Sequence, residues 1–260
     1  MPTLQKDDVT LNYQTFGDEN KPALIFSNSL GTNYSMWQPQ IDALQDDFFV
    51  ICYDTRGHGQ SSAPDHPYSI DELGQDVVDL LNHLQIKKAN FCGISMGGLT
   101  GQWLAINKPE YFNIIIVSNT AAKIGNETAW QARADQVRNE GLQPIADTAA
   151  SRWFTEGFIK SSPDIVKQMS ENLAKGSPEG YANCCAALAT ADLREDLQKA
   201  SVPMLVIAGM QDLVTTAADA KAIVAVAPNG ELATIDASHI ANVEQPEAFT
   251  QLILGFCQSN

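Results

Sequence analysis

A serine hydroxyl is a poor nucleophile at neutral pH unless a base takes its proton and a third group orients that base. Ser95 sits in Gly93-Ile-Ser-Met-Gly97, at the end of an apolar run, Ala89 to Ile94, that reads as a buried strand. Met96 to Asn107 reads as a helix that Pro109 closes. A strand that becomes a helix within one or two residues forces the serine into a strained backbone conformation. Only residues without bulky side chains can flank such a turn, hence Gly93, Gly97 and a third glycine at Gly98. The turn lifts the hydroxyl clear of the backbone at a helix N-terminus, whose partial positive charge favours a developing oxyanion. Gly-x-Ser-x-Gly between a strand and a helix is the pattern of a nucleophilic serine.

Four histidines are available as the base: His58, His66, His83 and His239. His83 falls inside a helical pattern, facing solvent, and His66 in a Pro-Asp-His-Pro loop. His58 lies in the turn Asp54-Thr-Arg-Gly-His-Gly-Gln-Ser61, where a structural role is expected. His239, in Ala237-Ser-His-Ile240, follows the last strand and so reaches the carboxyl edge of a parallel sheet, where such sheets collect their sites. Asp212, in Gly209-Met-Gln-Asp-Leu213, follows another strand to the same edge and is the expected orienting acid. An oxyanion hole needs two convergent N–H donors. Met96 is expected to supply one and Ser29, in the loop after Pro22 to Ser27, the other, both through the backbone.

Other chemistries find little support. No histidine pair has metal-ligand spacing, and no Gly-x-x-x-x-Gly-Lys-[Ser/Thr] phosphate loop is present. Gly57-His-Gly-Gln-Ser-Ser62 is only a partial dinucleotide fingerprint. Neither a metal nor a cofactor is expected.

Strands must alternate with helices to deliver these residues to one edge. Continuous apolar runs such as Phe48 to Tyr53 and Asn113 to Ser118 suit parallel strands covered on both faces. Ser69-Ile-Asp-Glu72 is a capping box, followed at helical spacing by Leu73, Val77, Leu81 and Leu84. The fold class is therefore α/β, with a mostly parallel sheet, right-handed crossovers and helices on both faces. From about Ala121 to Lys199 the rhythm breaks into helical patterns with no convincing strand. This segment is expected to be a helical cap, residues 121–199, inserted between the sixth and seventh core strands; residues 1–120 and 200–260 form the core.

The formal net charge of −15 over 260 residues argues against nucleic acid and anionic membranes as partners. The polar N-terminus predicts no signal peptide, and no apolar run approaches a membrane span. Five cysteines, an odd number with Cys184 and Cys185 adjacent, suit a reducing, cytoplasmic setting. The positive charge is uneven: 9 of 16 Lys and Arg, against 11 of 31 acids, lie in residues 121–200.

The longer strings Ser27-Asn-Ser-Leu-Gly-Thr32, Tyr53 to Ser61, Gly93 to Trp103 and Arg152-Trp-Phe-Thr155 resemble those of 3-oxoadipate enol-lactonases. The core resembles the α/β-hydrolase fold over essentially the whole chain, and Ser95, Asp212, His239 is the triad order of that fold. Many hydrolases carry His-Gly where this chain has Ser27-Asn28, which fits the enol-lactonases better than general esterases. The resemblance implies a small anionic lactone as substrate, opened in the degradation of aromatic compounds. An anion bound by so acidic a chain needs local positive charge, and the cap offers Trp130 with Arg133, three apart on one helix, and Arg152 with Trp153. A general carboxylesterase, a lyase or cofactor-free peroxidase on the same fold, and a non-catalytic ligand receptor are the competing readings. Oligomeric state is not legible.

Overall fold

Apolar runs with no polar alternation require cover on both faces, and the computed structural model, which describes residues 2–260, provides it. Among the described residues eight strands form one sheet: β1 Thr3–Lys6, β2 Val9–Phe16, β3 Ala23–Ser27, β4 Phe49–Tyr53, β5 Ala89–Ile94, β6 Phe112–Ser118, β7 Met204–Gly209 and β8 Gly230–Ile235. Their order is β1-β2-β4-β3-β5-β6-β7-β8. β1 pairs antiparallel with β2 and β2 with β4; every other pair is parallel. Every residue of the central strands β3, β5 and β7 is buried.

The described residues also form twelve α-helices: α1 Gln38–Leu44, α2 Ile70–His83, α3 Met96–Asn107, α4 Glu127–Glu140, α5 Gln143–Asp147, α6 Ala149–Trp153, α7 Glu156–Ser161, α8 Pro163–Ala174, α9 Pro178–Thr190, α10 Ala217–Val226, α11 Ala241–Glu244 and α12 Pro246–Ser259. The chain leaves β3 in one direction, through α1 to β4, then returns through α2 to β5 on the other side. Right-handed crossovers therefore put α1 and α2 on opposite faces. α12 joins α1, α3 joins α2, and Trp37 seals the α1 side by stacking on Phe26 at 4.4 Å and tilting against Phe249. The reversal makes a crevice between the carboxyl ends of β3 and β5. The register sets Ser27 beside Gly93, so the loops carrying Ser29 and Ser95 emerge as neighbours.

α4 to α9 lie between β6 and β7, with no strand among them. Residues 143–153 form two short helices, α5 and α6, that meet at Thr148. β1 buries only Leu4, too little to make an apolar pattern, and α7 spans only six residues. Among the described residues no helix is long and apolar enough to cross a membrane.

Candidate active site

The turn at Ser95 is built from close backbone contacts that exclude side chains. Ser95 has φ 56° and ψ −114°, a strained combination for a residue with a Cβ. A Cβ on Gly93 would lie 2.2 Å from the carbonyl oxygen of Gly97, and one on Gly97 would lie 2.3 Å from that of Ser27. α3 thus begins directly against the β3 loop, and Gly97 N–H donates to the Asn28 carbonyl at 3.0 Å. Asn28 is fixed in turn: its amide donates to the Tyr53 carbonyl (2.8 Å) and accepts from Trp37 Nε1 (3.0 Å). The departure from His-Gly at this loop has a physical basis, since the buried Asn28 side chain ties β3, β4 and the Trp37 turn together.

Ser95, His239 and Asp212 form a hydrogen-bonded chain. His239 Nε2 lies 2.9 Å from Ser95 Oγ and Nδ1 lies 2.8 Å from Asp212 Oδ2. With the carboxylate accepting Nδ1–H, Nε2 is left as the acceptor facing the serine hydroxyl. Asp212 receives backbone N–H groups from Val214 and Thr215, the Thr215 hydroxyl and the Asn119 amide. Burial opposes its charge, but the His239 hydrogen bond and charge, with the Asn119 and backbone donors, hold the carboxyl below its usual range. Ser29 lines the same cavity as Ser95, and among the described residues its N–H reaches no acceptor within the protein. Met96 is the first residue of α3, where an N–H has no intrahelical partner.

This cavity, about 90 Å³, is roofed by the helices between β6 and β7. Trp130 and Arg133 of α4 and Arg152 and Trp153 of α6 all line it, with Leu30, Ile124, Leu173, Tyr181, Leu188 and Val214. Arg133 Nη1 reaches the Tyr181 hydroxyl at 3.4 Å, while Arg152 donates to the Thr148 hydroxyl and the Ile145 carbonyl. Among the described residues neither guanidinium has a carboxylate within ion-pair distance. Burial and the nearby positive charge of Arg133 both lower the Arg152 pKa. Burial pushes the Tyr181 hydroxyl up to about 12, leaving it a neutral donor and acceptor.

The other histidines stand apart. His58 is buried and spends Nε2 on the Gly31 N–H at 2.9 Å, facing a separate cavity of about 210 Å³ beyond Leu173 and Tyr181. Burial lowers its pKa. His66 pairs with Glu72 and Asp8, and His83 meets the Tyr13 hydroxyl. Among the described residues no three His, Cys, Asp or Glu side chains cluster as metal ligands. Sequence reasoning passed over Asn119, Tyr181 and Glu244; the available signal for Asn119 was its place in Ser118-Asn-Thr120, at the carboxyl edge of β6.

A family model described as the alpha/beta hydrolase fold matches residues 22–246. The chain belongs to the α/β hydrolase family. Among similar members, this hydrolase is 64% identical to 3-oxoadipate enol-lactonase 2 of Acinetobacter baylyi, over 96% of this chain and 94% of that one. It is 46% identical to 3-oxoadipate enol-lactonase 1 of the same organism, with the same coverage. The crystal structure of the enol-lactonase from Burkholderia xenovorans LB400 superposes on this hydrolase with a TM-score of 0.97 and 40% identity, covering 99% of this chain and all of that one.

Proposed function

We propose that this hydrolase opens the ring of 3-oxoadipate enol-lactone to give 3-oxoadipate in aromatic-compound degradation, using Ser95, His239 and Asp212 as its triad. The observation that carries the reading is one small chamber holding both a hydrogen-bonded serine nucleophile and two arginines with no carboxylate partner. The likeness to the named enol-lactonases supplies the lactone.

His239 Nε2 takes the Ser95 proton as Oγ bonds to the ring carbonyl carbon, and Asp212 stabilises the imidazolium. The Ser29 and Met96 N–H groups form the oxyanion hole that receives the carbonyl oxygen. Collapse breaks the ring C–O bond, and His239 returns the proton to the enolate oxygen. The leaving group stays tethered to the acyl chain and tautomerises to a ketone. Water then attacks the ester carbonyl while His239 takes one of its protons, and Ser95 leaves with that proton. The dicarboxylic keto acid is released. Residues 121–199 act as a cap over a core of residues 1–120 and 200–260, and Arg133 and Arg152 hold the substrate carboxylate between Trp130 and Trp153. Neither metal nor cofactor takes part in these steps, and a cytoplasmic location suits the five free thiols.

The test is a comparison of kcat/KM for the enol-lactone and for p-nitrophenyl acetate. The expected result is a clear preference for the lactone. A faster aryl ester with slow lactone turnover points instead to a general carboxylesterase.

A further inference from the structure

Glu244, the last residue of α11, is a buried carboxylate with no Lys, Arg or His within ion-pair distance among the described residues. A charge in that position persists only when donors saturate it. Its donors come from two distant parts of the chain. Ser238 N–H, adjacent to His239, donates to Oε2 at 2.9 Å. The Thr155 hydroxyl donates to Oε1, and the Thr155 N–H lies 3.3 Å from the same oxygen. Thr155 opens α7, where its hydroxyl also accepts from Phe158 N–H at 3.3 Å. On the other side of His239, Ile240 N–H donates to the Trp153 carbonyl at 3.0 Å. The residues before and after His239 are therefore both fastened to the turn 153–155, whose Trp153 lines the reaction chamber.

We infer that Glu244 is a positioning residue that joins the His239 loop and the Trp153–Thr155 turn into one rigid body. It sets the distance between the base at Ser95 and the wall against which substrate rests. Rigid placement of this kind matters because about 1 Å of misplacement can cost on the order of a hundredfold in rate. The closure of the helices over the site is anchored here by a carboxylate and three neutral donors, with no surface ion pair that salt would loosen. The inference rests on the triad assignment but not on the identity of the lactone.

The test therefore uses p-nitrophenyl acetate, with Ser95→Ala as the reference for the triad. Glu244→Gln keeps the volume but sets an NH₂ against one of the existing donors. It should lower kcat by roughly ten- to a hundredfold with KM within about twofold. The downfield imidazole Nδ1 proton resonance of His239, set by its bond to Asp212, should broaden or shift. Thr155→Val removes the hydroxyl at the far end and should reproduce both effects, while Thr155→Ser should restore them. If Glu244→Gln does not fold, the Thr155 pair decides alone. Unchanged kcat and an unmoved resonance in Glu244→Gln or Thr155→Val overturn the inference while leaving the triad standing. Losses that follow only a lowered melting temperature reduce Glu244 to a structural role. Retained turnover in Ser95→Ala would instead sink the triad.

Discussion

Asn119 donates its amide to Oδ2 of Asp212, the same oxygen that accepts the His239 imidazole. The second proton of that amide goes to the Ser238 carbonyl at 2.9 Å, so one side chain binds the loops of both Asp212 and His239. Asn119 holds φ 46°, a left-handed conformation that a non-glycine residue adopts at a cost of about 1 kcal/mol or more. A Cβ on Gly209 would lie 2.4 Å from the Asn119 amide nitrogen, so the packing leaves the amide little room to turn away. Strain retained beside an acid–base pair indicates that the geometry serves the site.

Asn119→Ala should therefore reduce kcat by roughly tenfold or more, with little change in KM, because it frees the Asp212 carboxylate rather than the substrate. Leaving the buried Ser238 carbonyl without its donor should also cost about 1–3 kcal/mol of stability. Steady-state kinetics beside a urea titration separates the two effects. Unchanged kcat would show that the backbone donors from Val214 and Thr215 suffice.

Ser95→Ala and His239→Ala should each abolish turnover by several orders of magnitude, and the loss should be no greater when they are combined. The serine hydroxyl makes no core contact that folding requires, so Ser95→Ala should keep the wild-type melting temperature. Near-wild-type rate in either variant, with its mass verified, removes the assignment.

His58→Ala should act mainly on stability. The change removes a buried acceptor from the Gly31 N–H, worth about 1–3 kcal/mol, and leaves the chain around Ser95 in place. The pH dependence follows from the direction of its shift. The folded-state pKa lies below the ordinary value of 6.5, so near pH 6 the unfolded chain binds more protons than the folded one. His58 therefore imposes no penalty above about pH 6.5 and destabilises the fold as pH falls through that value. Asp212 adds to the acid loss at lower pH, since its lowered pKa makes a contribution present above 3.8 that disappears as pH falls through the folded value. Urea midpoints between pH 7.5 and 5 should fall less steeply for His58→Gln than for the wild type. A His58→Ala variant that is inactive at full stability, beside an active His239→Ala, would move the role of base to His58.

Arg133→Ala and Arg152→Ala should each weaken the anionic lactone more than a neutral ester of similar size. Both guanidinium groups line the chamber, so neither is a neutral control. Losing one charge-assisted hydrogen bond should cost about 1.5–3 kcal/mol, roughly ten- to a hundredfold in kcat/KM for the lactone. Equal losses on both substrates would mean that the carboxylate is held elsewhere.

Much of this molecule is legible in its sequence. The nucleophile turn is a local event: two glycines, a serine and the switch from strand to helix lie within five residues, and steric exclusion there admits few other sequences. The parallel core was legible because strands buried on both faces need uninterrupted apolar runs, and Ser95 and Asp212 each follow such a run, whereas His239 follows the largely exposed edge strand β8. The partners of those groups carried no such local signal. Asn119 meets Asp212 across 93 residues, Thr155 meets Glu244 across 89 and Arg133 meets Tyr181 across 48. Asparagine, threonine and glutamate in loops and short helices are what any surface segment contains, and nothing in their spacing tells which will be buried together. Only the reversal of strand order at β3 and β5, with the descent of α4 to α9 over that edge, brings them to one place. The turn that carries Ser95 follows from local backbone chemistry, whereas the groups that hold Asp212 and His239 in place follow from topology.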